Sequence, residues 1–387
     1  MKVLMLCDLP PGLLTSDQGT LWKHRFLPTP VLNLLEGLIR STDVEPIVLT
    51  FSRHASAEGR LWGRIQVRVQ KVSRGAGLST LYLPRIPAVR RAAVGLEADV
   101  VHGQGVESGY AWLATLQPRP HVITLHGVLG VTAQLQGAGI WGVLGRIVQG
   151  ATLTRARNIV AISEYIAKWA RQRTRAHVYP VPNAVHRTFY DLIPSDDPTF
   201  DVLYVGRILP AKGLLDAIEA IHLLEQRGIV VRMGVVGRAT DRAFERTCRE
   251  RALSLARSTI TFCGAVAARV VMSRARVLVL PSRGESFSMV AAEASAAHVP
   301  VVAYRVGGLP SVVAHGETGL LVAPGDVEAL AEALGSLVTD ERLRRRMGDA
   351  AHERALDWHQ DRVARLTARV YEDVLRGDEG AGAQVFG

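Results

Sequence analysis

The sequence predicts an α/β protein that contains two doubly wound parallel sheets, and three observations support this prediction. Short apolar, β-branched runs alternate with amphipathic helical stretches along the chain, which is typical of parallel strands covered by helices on both faces. A segment at 183–199, with two prolines and three aspartates, separates these runs into two sets. The length of 387 residues suits two or three domains of about 100–200 residues each.

The strand predictions follow the apolar runs in chain order. In the first half, the runs predict strands at 2–7, 45–51, 65–70, 99–102, 121–125, 158–162 and 177–181. In the second half, they predict strands at 201–205, 230–236, 259–262, 276–280, 299–303 and 320–322. Continuous runs of this kind fit strands that are buried on both faces of a sheet.

The domain boundaries come from the break between the two sets and from the end of the chain. We predict a first domain at 1–182, a linker at 183–199 and a second domain at 200–357, because FDVLYV after the linker begins a fresh strand. A strongly helical segment near the end predicts a helix at 358–376. The tail at 377–387 has the composition of a disordered segment.

Composition and charge narrow the class of protein. The chain is 48% hydrophobic and 21% charged, as globular proteins are, and its formal net charge is +10. Such a charge can attract nucleic acid, anionic membranes or phosphorylated substrates, but the aromatic and basic signatures of RNA-binding modules are absent, so we expect no nucleic-acid partner. The segment YIAKWARQRTR at 165–175 is either an ordinary solvated helix face or a surface for peripheral contact with an anionic membrane.

The start of the chain and its cysteines favour a cytoplasmic protein. The apolar run in MKVLMLCDLPP is too short for a signal peptide, and no run of 18 uncharged apolar residues predicts a membrane span. The three cysteines have no CxxC spacing, which argues against a disulfide framework and against a zinc site. We therefore expect a reduced, cytoplasmic protein, with the inner membrane face as its peripheral site if it touches a membrane.

The strongest chemical signal is the segment VLVLPSRGESFSMVAAEASA. A strand at 276–280 leads into a turn, and a helix begins near Ser286–Ser288, whose small side chains let the backbone approach a ligand. The free N–H groups of the first helical turn suit a phosphate. Glu285 precedes the helix and Glu293 lies eight residues on, so the two could bracket an elongated ligand. The alternative is a carboxylate that stabilises the helix dipole and an unrelated surface glutamate.

Two further signals follow strands of the second half. In VLYVGRILPAKG, Arg207 and Lys212 lie on one strand-to-helix connection, where two cations suit a diphosphate, although ordinary surface cations would look the same. In VAYRVGGLPSVVAHGETGLLVAPGD, Gly307 and Gly308 follow a strand, as glycines do where a ligand or another backbone approaches closely. Glycines are equally common in plain loops, so this third signal is weak alone.

Together and in this order, the three segments resemble the retaining glycosyltransferases of family four, also called group 1 glycosyltransferases. The resemblance covers most of residues 200–326 and rests on VGR…KG, ESFSMVAAEA and GGLP…GETGLLV…PGD. It implies the GT-B fold, with two Rossmann-like domains that face a central cleft and a C-terminal helix that crosses back to the first domain. It also implies that the first domain binds the acceptor and the second binds a nucleotide-sugar donor.

The resemblance assigns roles to particular residues. Arg207 and Lys212 would hold the donor pyrophosphate, Glu293 the ribose hydroxyls and Glu285 the transferred sugar. The implied nucleotide-binding set comprises Arg207, Lys212, Cys263, Gly264, Glu285, Ser288, Met289, Val290 and Glu293. The implied catalytic set comprises His126, Arg207, Lys212 and Glu285.

The first half resembles the family less closely. VITLHG matches its His-Gly signature, which implies that His126 lies near the transferred sugar, although a lone histidine after a strand is more often structural. VHGQG is similar to a motif that lines the cleft, which makes His102 and Gln104 candidate acceptor contacts. The glycine loop expected after the first strand is replaced by DLPPGLLTSDQG, where either Gly12 or Gly19 could serve.

The sequence differs from the family pattern at two further positions. Ala184 follows Asn183 where a glycine is usual, and Ser311 stands where glutamate is common. The segment from Gly103 to Ser108 imitates a dinucleotide fingerprint, but it lacks the third glycine and has no acidic residue about 20 positions further on. An NAD-dependent oxidoreductase is therefore a remote alternative, and a catalytically inactive sugar-nucleotide-binding partner is another. A metal-dependent transferase of the other major fold would need an Asp-x-Asp motif in a strand context, which the sequence lacks.

The predicted activity is transfer of a sugar from a nucleoside diphosphate sugar to an acceptor hydroxyl, in glycan, glycolipid or natural-product biosynthesis. UDP-sugars are favoured over GDP-mannose on frequency alone. The expected stabilisation of the leaving diphosphate by cations and helix amides requires no metal and no bound cofactor. The resemblance implies retention of anomeric configuration, for which a front-face route is the favoured hypothesis.

Overall fold

The computed structural model describes residues 1–10, 13, 29–73, 77–128 and 140–377, without the side chains of residues 140 and 141. Gly12 and Gly19, the candidates for the donor loop, lie outside the described residues. The chain divides into two compact units, and each is described separately below. The first comprises Met1–Ala184 and Gln360–Gly387, and the second comprises Val185–His359.

The first unit is built on an eight-stranded sheet in the order β3-β4-β2-β1-β5-β6-β7-β8. Its strands are β1 (Lys2–Leu6), β2 (Glu45–Ser52), β3 (Ala57–Leu61), β4 (Ile65–Lys71), β5 (Val100–Gln104), β6 (His121–Leu125), β7 (Asn158–Ala161) and β8 (His177–Pro180). Only the β3–β4 pair is antiparallel among these strands. Its first helices are α1 (Thr29–Ser41), α2 (Ile86–Gly95), α3 (Tyr110–Thr115), α4 (Ile140–Arg155) and α5 (Glu164–Arg171).

The second unit is built on a six-stranded, fully parallel sheet in the order β11-β10-β9-β12-β13-β14. The strands are β9 (Phe200–Val205), β10 (Arg232–Val236), β11 (Thr259–Gly264), β12 (Ala275–Leu280), β13 (Val301–Tyr304) and β14 (Gly319–Val322). The helices are α6 (Leu214–Gln226), α7 (Arg242–Ala252), α8 (Ala268–Met272), α9 (Met289–Ala296), α10 (Leu309–Val312), α11 (Val327–Thr339) and α12 (Glu341–Ala355). This strand order is that of the Rossmann fold, in which the direction of winding reverses between the first and fourth strands.

The last helix, α13 (Gln360–Arg376), belongs to the first unit. Its Val363, Ala364 and Tyr371 are part of the core of that unit. The helix approaches α1 so closely that a Cβ on Gly37 would lie 2.5 Å from the carbonyl oxygen of Gln360. Only glycine at this position allows the two helices such a short separation.

The thirteen predicted strands are confirmed, and none of their ends differs by more than two residues from the observed bounds. The sequence prediction missed β3, whose residues AEGRL contain no β-branched side chain and are mostly exposed. This strand exists because it pairs with β4 across a tight turn. Residues 62–64 connect the paired Leu61 and Ile65. The amide of Arg64 donates to the carbonyl of Leu61 at 3.2 Å, and Trp62 and Gly63 between them both have positive φ, as the central residues of a type I′ turn do.

The segment predicted to be a linker mostly packs on the second unit. The amide of Val185 donates to the carbonyl of Trp358 at 2.8 Å, and the amide of Ser195 donates to the carbonyl of Ser273 at 2.8 Å. The hydroxyl of Tyr190 donates to the carbonyl of Ala355 at 2.6 Å. The prolines and aspartates of 183–199 therefore mark a surface connection that is held by backbone hydrogen bonds.

Among the described residues, none of the helices combines the length and the apolar character that a membrane span requires.

Candidate functional site

Two of the predicted signals meet at the switch point of the second sheet. β9 and β12 are neighbours in this sheet although they are distant in sequence, and their carboxyl ends lie at the same edge because they are parallel. The segment with Arg207 and Lys212 follows β9, and the segment with Glu285 follows β12. Open α/β sheets bind ligands in the crevice at this point.

An ion pair joins the two segments. The Nζ atom of Lys212 lies 2.6 Å from Oε1 of Glu285, and the two side chains are only 24% and 15% exposed. A charge-assisted hydrogen bond of this length in a partly desolvated place is stronger than one on an open surface. The pair thus places a cation and a carboxylate side by side at the edge of the sheet.

The loop after β9 is held in place by backbone contacts. Gly213 has φ of +69°, and a Cβ there would lie 2.0 Å from the carbonyl oxygen of Pro281, so only glycine fits. The amide of Arg283 donates to the carbonyl of Ala211 at 2.9 Å, and the hydroxyl of Tyr204 donates to the carbonyl of Arg207 at 3.0 Å. These contacts fix the backbone of the loop that carries Arg207 and Lys212.

Gly307 and Gly308 fix the loop that carries Glu285. A Cβ on Gly307 would lie 2.0 Å from the carbonyl oxygen of Glu285, and one on Gly308 would lie 2.0 Å from that of Ser286. The amide of Gly308 donates to the carbonyl of Glu285 at 2.7 Å. The third sequence signal thus belongs to the same site, and its glycines allow close contact between two backbones.

The helix α9 begins directly after this loop. Its N-cap residue, Ser288, has φ of +80° and its side chain does not cap the helix. A non-glycine residue in this conformation is strained, and such strain collects at ligand-binding sites. Met289 and Val290 form the first turn, whose amides point out of the helix end and suit an anion.

Glu293 lies one turn into α9 and is only 6% exposed. Burial raises the pKa of its carboxyl group to about 8, so the group is mostly protonated at neutral pH. The residue is thus an uncharged hydrogen-bonding group one turn behind the N-terminal end of the helix. The alternative of an ordinary surface glutamate is wrong for Glu293.

The remaining predicted donor residues lie at neighbouring strand ends. Cys263 and Gly264 end β11, where Gly264 has φ of +71° and its carbonyl accepts from the amide of Gly237 at 2.8 Å. Arg207 is exposed and makes no ion pair with any described residue. Its guanidinium is therefore open to solvent at the edge that also carries Lys212.

The first unit brings three other predicted residues together. Nε2 of His126 lies 2.8 Å from Oε1 of Gln104, and Nε2 of Gln104 lies 3.2 Å from Nε2 of His102. Nδ1 of His102 lies 2.7 Å from the hydroxyl of Tyr371, and its Nε2 lies 2.7 Å from the hydroxyl of Thr124. Because Nε2 of Gln104 is also 3.5 Å from Nδ1 of His102, the Gln104 amide lies against the face of the His102 ring, whose two nitrogens bond to Tyr371 of α13 and to Thr124.

Burial controls the protonation of both histidines. Burial, with a smaller contribution from the proximity of His126, lowers the pKa of His102 to about 3. Burial also lowers the pKa of His126 to about 4, although the hydrogen bond between His126 and the Asn183 side chain acts in the opposite direction. Both rings are therefore neutral at physiological pH. Because His102 is 0% exposed, the expectation that its ring contacts an acceptor does not fit this structure.

Two family models together match most of the chain. The family model described as Glycosyltransferase Family 4 matches residues 29–189, and the model described as Glycosyl transferases group 1 matches residues 192–354. The D-inositol 3-phosphate glycosyltransferase of Pseudarthrobacter chlorophenolicus is 31% identical over 317 residues, which are 76% of this chain and 75% of that protein. The chain belongs to the family-four, group 1 glycosyltransferases.

Other relatives extend the comparison. The glycogen synthase of Mycobacterium tuberculosis is 35% identical over 183 residues, and the match spans 46% of this chain but only 44% of the synthase. The crystal structure of the Anabaena protein HepE in complex with UDP has a TM-score of 0.73 and 20% identity, and it covers 96% of this chain and 100% of that chain. This family-four chain therefore has the GT-B fold.

Sequence reasoning missed several residues that organise the two sites of this glycosyltransferase. Tyr371 and Thr124 fix His102, yet neither stands out in the sequence, because a tyrosine in an amphipathic helix and a threonine in a strand are ordinary. Asp216 accepts from the hydroxyl of Tyr304 at 2.9 Å and pairs with Arg283 at 3.3 Å beside the Glu285 loop. Within the described ranges, no group of three or more histidine, cysteine, aspartate or glutamate side chains could hold a metal ion.

Proposed function

We propose that this protein transfers a glycosyl unit from a nucleoside diphosphate sugar to an acceptor hydroxyl, and that the second unit binds the donor. The observation that carries the proposal is the Lys212–Glu285 ion pair, which lies at the sheet switch point where α9 begins. A diphosphate needs cations and amides, and a sugar needs a carboxylate that accepts from its hydroxyls. This place offers all three within one fixed set of loops.

In the proposed donor complex, the diphosphate lies between Arg207, Lys212 and the amides of Ser288–Val290. The ammonium group of Lys212 then donates both to the phosphate oxygens and to Glu285. The carboxylate of Glu285 also accepts hydrogen bonds from the hydroxyls of the sugar. Glu293 bonds to the ribose hydroxyls, for which its buried and uncharged carboxyl group can donate as well as accept.

UDP is the proposed nucleotide. β11 is an edge strand whose last residue, Gly264, is exposed, and the backbone groups of Cys263 and Gly264 that the sheet leaves unpaired would read the base. Support for uracil comes from HepE, which shares this fold and whose structures contain UDP and UDP-glucose. GDP-mannose is the second choice, because backbone groups also accept a purine.

The proposed reaction keeps the anomeric configuration and needs no metal ion. The bond between the anomeric carbon and the diphosphate breaks, the acceptor oxygen bonds to the same face of that carbon, and a phosphate oxygen of the leaving group takes the acceptor proton. Negative charge develops on the diphosphate during this step. In the proposed complex, Arg207, Lys212 and the amides of α9 would stabilise that charge, and Lys212 and the helix amides are held in place before the donor binds, as electrostatic preorganisation requires.

The acceptor is proposed to bind to the first unit near Gln104 and His126. The named relatives are a D-inositol 3-phosphate glycosyltransferase and a glycogen synthase, and they support an acceptor of the polyol or glycan class. A peripheral membrane contact is also proposed for the region of α5. There Lys168 and Arg171 are exposed, and the guanidinium of Arg173 lies 4.8 Å from the centre of the Trp169 ring.

Calorimetric titration of UDP, GDP, ADP and NAD into the wild type and into Arg207→Ala/Lys212→Ala tests the donor site. We expect one nucleoside diphosphate to bind the wild type and the double variant to bind it at least tenfold more weakly, because each lost charge-assisted contact contributes about 1.5–3 kcal/mol. The control Arg345→Ala/Arg346→Ala removes two exposed cations of α12, one of them paired with Glu341, and should bind like the wild type. Binding of NAD alone, or equal binding by all three proteins, would refute the proposal.

A further inference from the structure

A groove of about 1150 Å³ lies in the first unit, between the amino ends of β7 and β8 and the last turn of α13. Residues from the end of α4 and from the segment after α5 complete its lining. Gln104 and His126 lie at the carboxyl ends of β5 and β6, and these strands run parallel to β7 and β8. The groove is therefore at the opposite end of the strands from the proposed acceptor site.

The rim of the groove is positively charged. Arg157 precedes β7 and Arg175 precedes β8, and the amide of His177 donates to the carbonyl of Arg157 at 2.7 Å, which joins the two segments. Both arginines are exposed, and neither forms an ion pair with any described residue. Arg173 also lines the groove and stacks on the ring of Trp169 at 4.8 Å. Guanidinium groups that have no carboxylate partner suit a phosphate, which they can bind through two parallel hydrogen bonds.

Two buried polar groups line the groove and lack partners in the described chain. Oδ1 of Asp373 accepts from Arg376 at 2.7 Å, but Oδ2 of this 2% exposed residue is buried and bonds to no described residue. Tyr179 is also 2% exposed, and its hydroxyl forms no hydrogen bond with a described residue. Burial, with a smaller contribution from the charge of Asp373, raises the pKa of Tyr179, so its hydroxyl keeps its proton. A ligand hydroxyl could donate to the carboxylate and accept from the tyrosine, which would satisfy both groups.

We infer that this groove binds a phosphate ester of a polyol, with the phosphate at Arg157 and Arg175 and the hydroxyls at Asp373 and Tyr179. Charge sets this orientation. Among the described residues that line the groove, Asp373 is the one carboxylate, so it repels a phosphate and accepts from hydroxyls. A free polyol phosphate has this chemistry, and so does the head group of an anionic phospholipid. The site contains none of the proposed donor residues, so the inference does not depend on the proposed function.

Calorimetric titration of the full chain with glycerol phosphate and with inorganic phosphate tests the site. Glycerol phosphate should bind the wild type, and Arg157→Ala/Arg175→Ala should weaken this binding by about tenfold or more, because two charge-assisted contacts are lost. The control Arg60→Ala/Arg64→Ala removes two exposed cations from β3 and its turn, on the other side of the sheet from β8, and should bind like the wild type. Tyr179→Phe should weaken glycerol phosphate by about fivefold and leave inorganic phosphate unchanged, since only the ester carries alcohol hydroxyls.

Cosedimentation with phosphatidylcholine vesicles, with or without phosphatidylglycerol, distinguishes the two sources of the ligand. Phosphatidylglycerol presents a glycerol phosphate head group, so binding that needs this lipid and is lost in Arg157→Ala/Arg175→Ala identifies a phospholipid. Binding of glycerol phosphate without vesicle binding identifies a soluble ester. The inference is overturned if neither probe binds, if the groove variant binds like the control, or if inorganic phosphate binds as tightly as glycerol phosphate. UDP binding should be the same in all these variants, which separates this test from that of the donor site.

Discussion

Replacement of Glu293 by glutamine should make the second unit less sensitive to pH. Burial raises the pKa of this carboxyl group from 4.5 to about 8. Between these two values the unfolded chain loses the proton while the folded chain keeps it, so the wild type loses stability as the pH rises. The loss is about 1.4 kcal/mol for each pH unit, or about 3 kcal/mol by pH 7. Glutamine does not titrate, so Glu293→Gln lacks this loss.

The assay is thermal unfolding of both proteins at pH 5, 6, 7 and 8. For a unit of this size, about 1 kcal/mol corresponds to a change in Tm of about 2–4 °C. Between pH 5 and pH 7 the wild type loses about 2.5 kcal/mol of stability, so the variant should gain about 5–10 °C on it over this range, whatever fixed offset the amide itself causes. Glu332→Gln, which removes an exposed carboxylate from α11, provides the control. A difference between Glu293→Gln and the wild type that stays constant from pH 5 to pH 8 would refute the reasoning.

Three other outcomes are expected. Glu285→Gln should bind UDP about fivefold more tightly in calorimetry, because Lys212 loses its competing partner worth about 1 kcal/mol, yet it should transfer sugar more slowly in a turnover assay. Transfer activity should be equal in EDTA and in Mg²⁺, and a strict need for metal would contradict the proposed charge stabilisation. Gly308→Ala should destabilise the protein by about 1–3 kcal/mol in urea unfolding, since its Cβ meets the Ser286 carbonyl at 2.0 Å, whereas Gly150→Ala meets nothing.

The sequence was sufficient to predict both sheets because their strands are continuous apolar runs, and burial on both faces leaves no other pattern. It failed at β3, where pairing with β4 and a three-residue turn create a strand that its own residues do not favour. The linker prediction also used only local signals. Prolines and aspartates mark a surface segment, but only the structure shows that backbone hydrogen bonds join 185–199 to the rest of the second unit.

The candidate donor site was predictable in its members but not in its contacts. Arg207, Lys212 and Glu285 each follow a strand, and parallel strands bring such residues to one edge. The 2.6 Å pairing of Lys212 with Glu285 joins residues 73 apart, which no local pattern reveals. The sequence also left the role of Gly307 and Gly308 ambiguous. The backbone that they contact belongs to the Glu285 loop, which is distant from them in sequence.

The burial of Glu293 fits the proposed donor site better than an ionised carboxylate would. The amides at the start of α9 attract an anion, and a second negative charge one turn into that helix would repel the same diphosphate. Because its pKa is about 8, Glu293 stays mostly uncharged at neutral pH and can bond to ribose hydroxyls without that repulsion. Glu285 differs because Lys212 lies 2.6 Å from it and offsets its charge. Neither glutamate would therefore repel the diphosphate strongly, because a cation offsets the charge of Glu285 and burial keeps Glu293 uncharged.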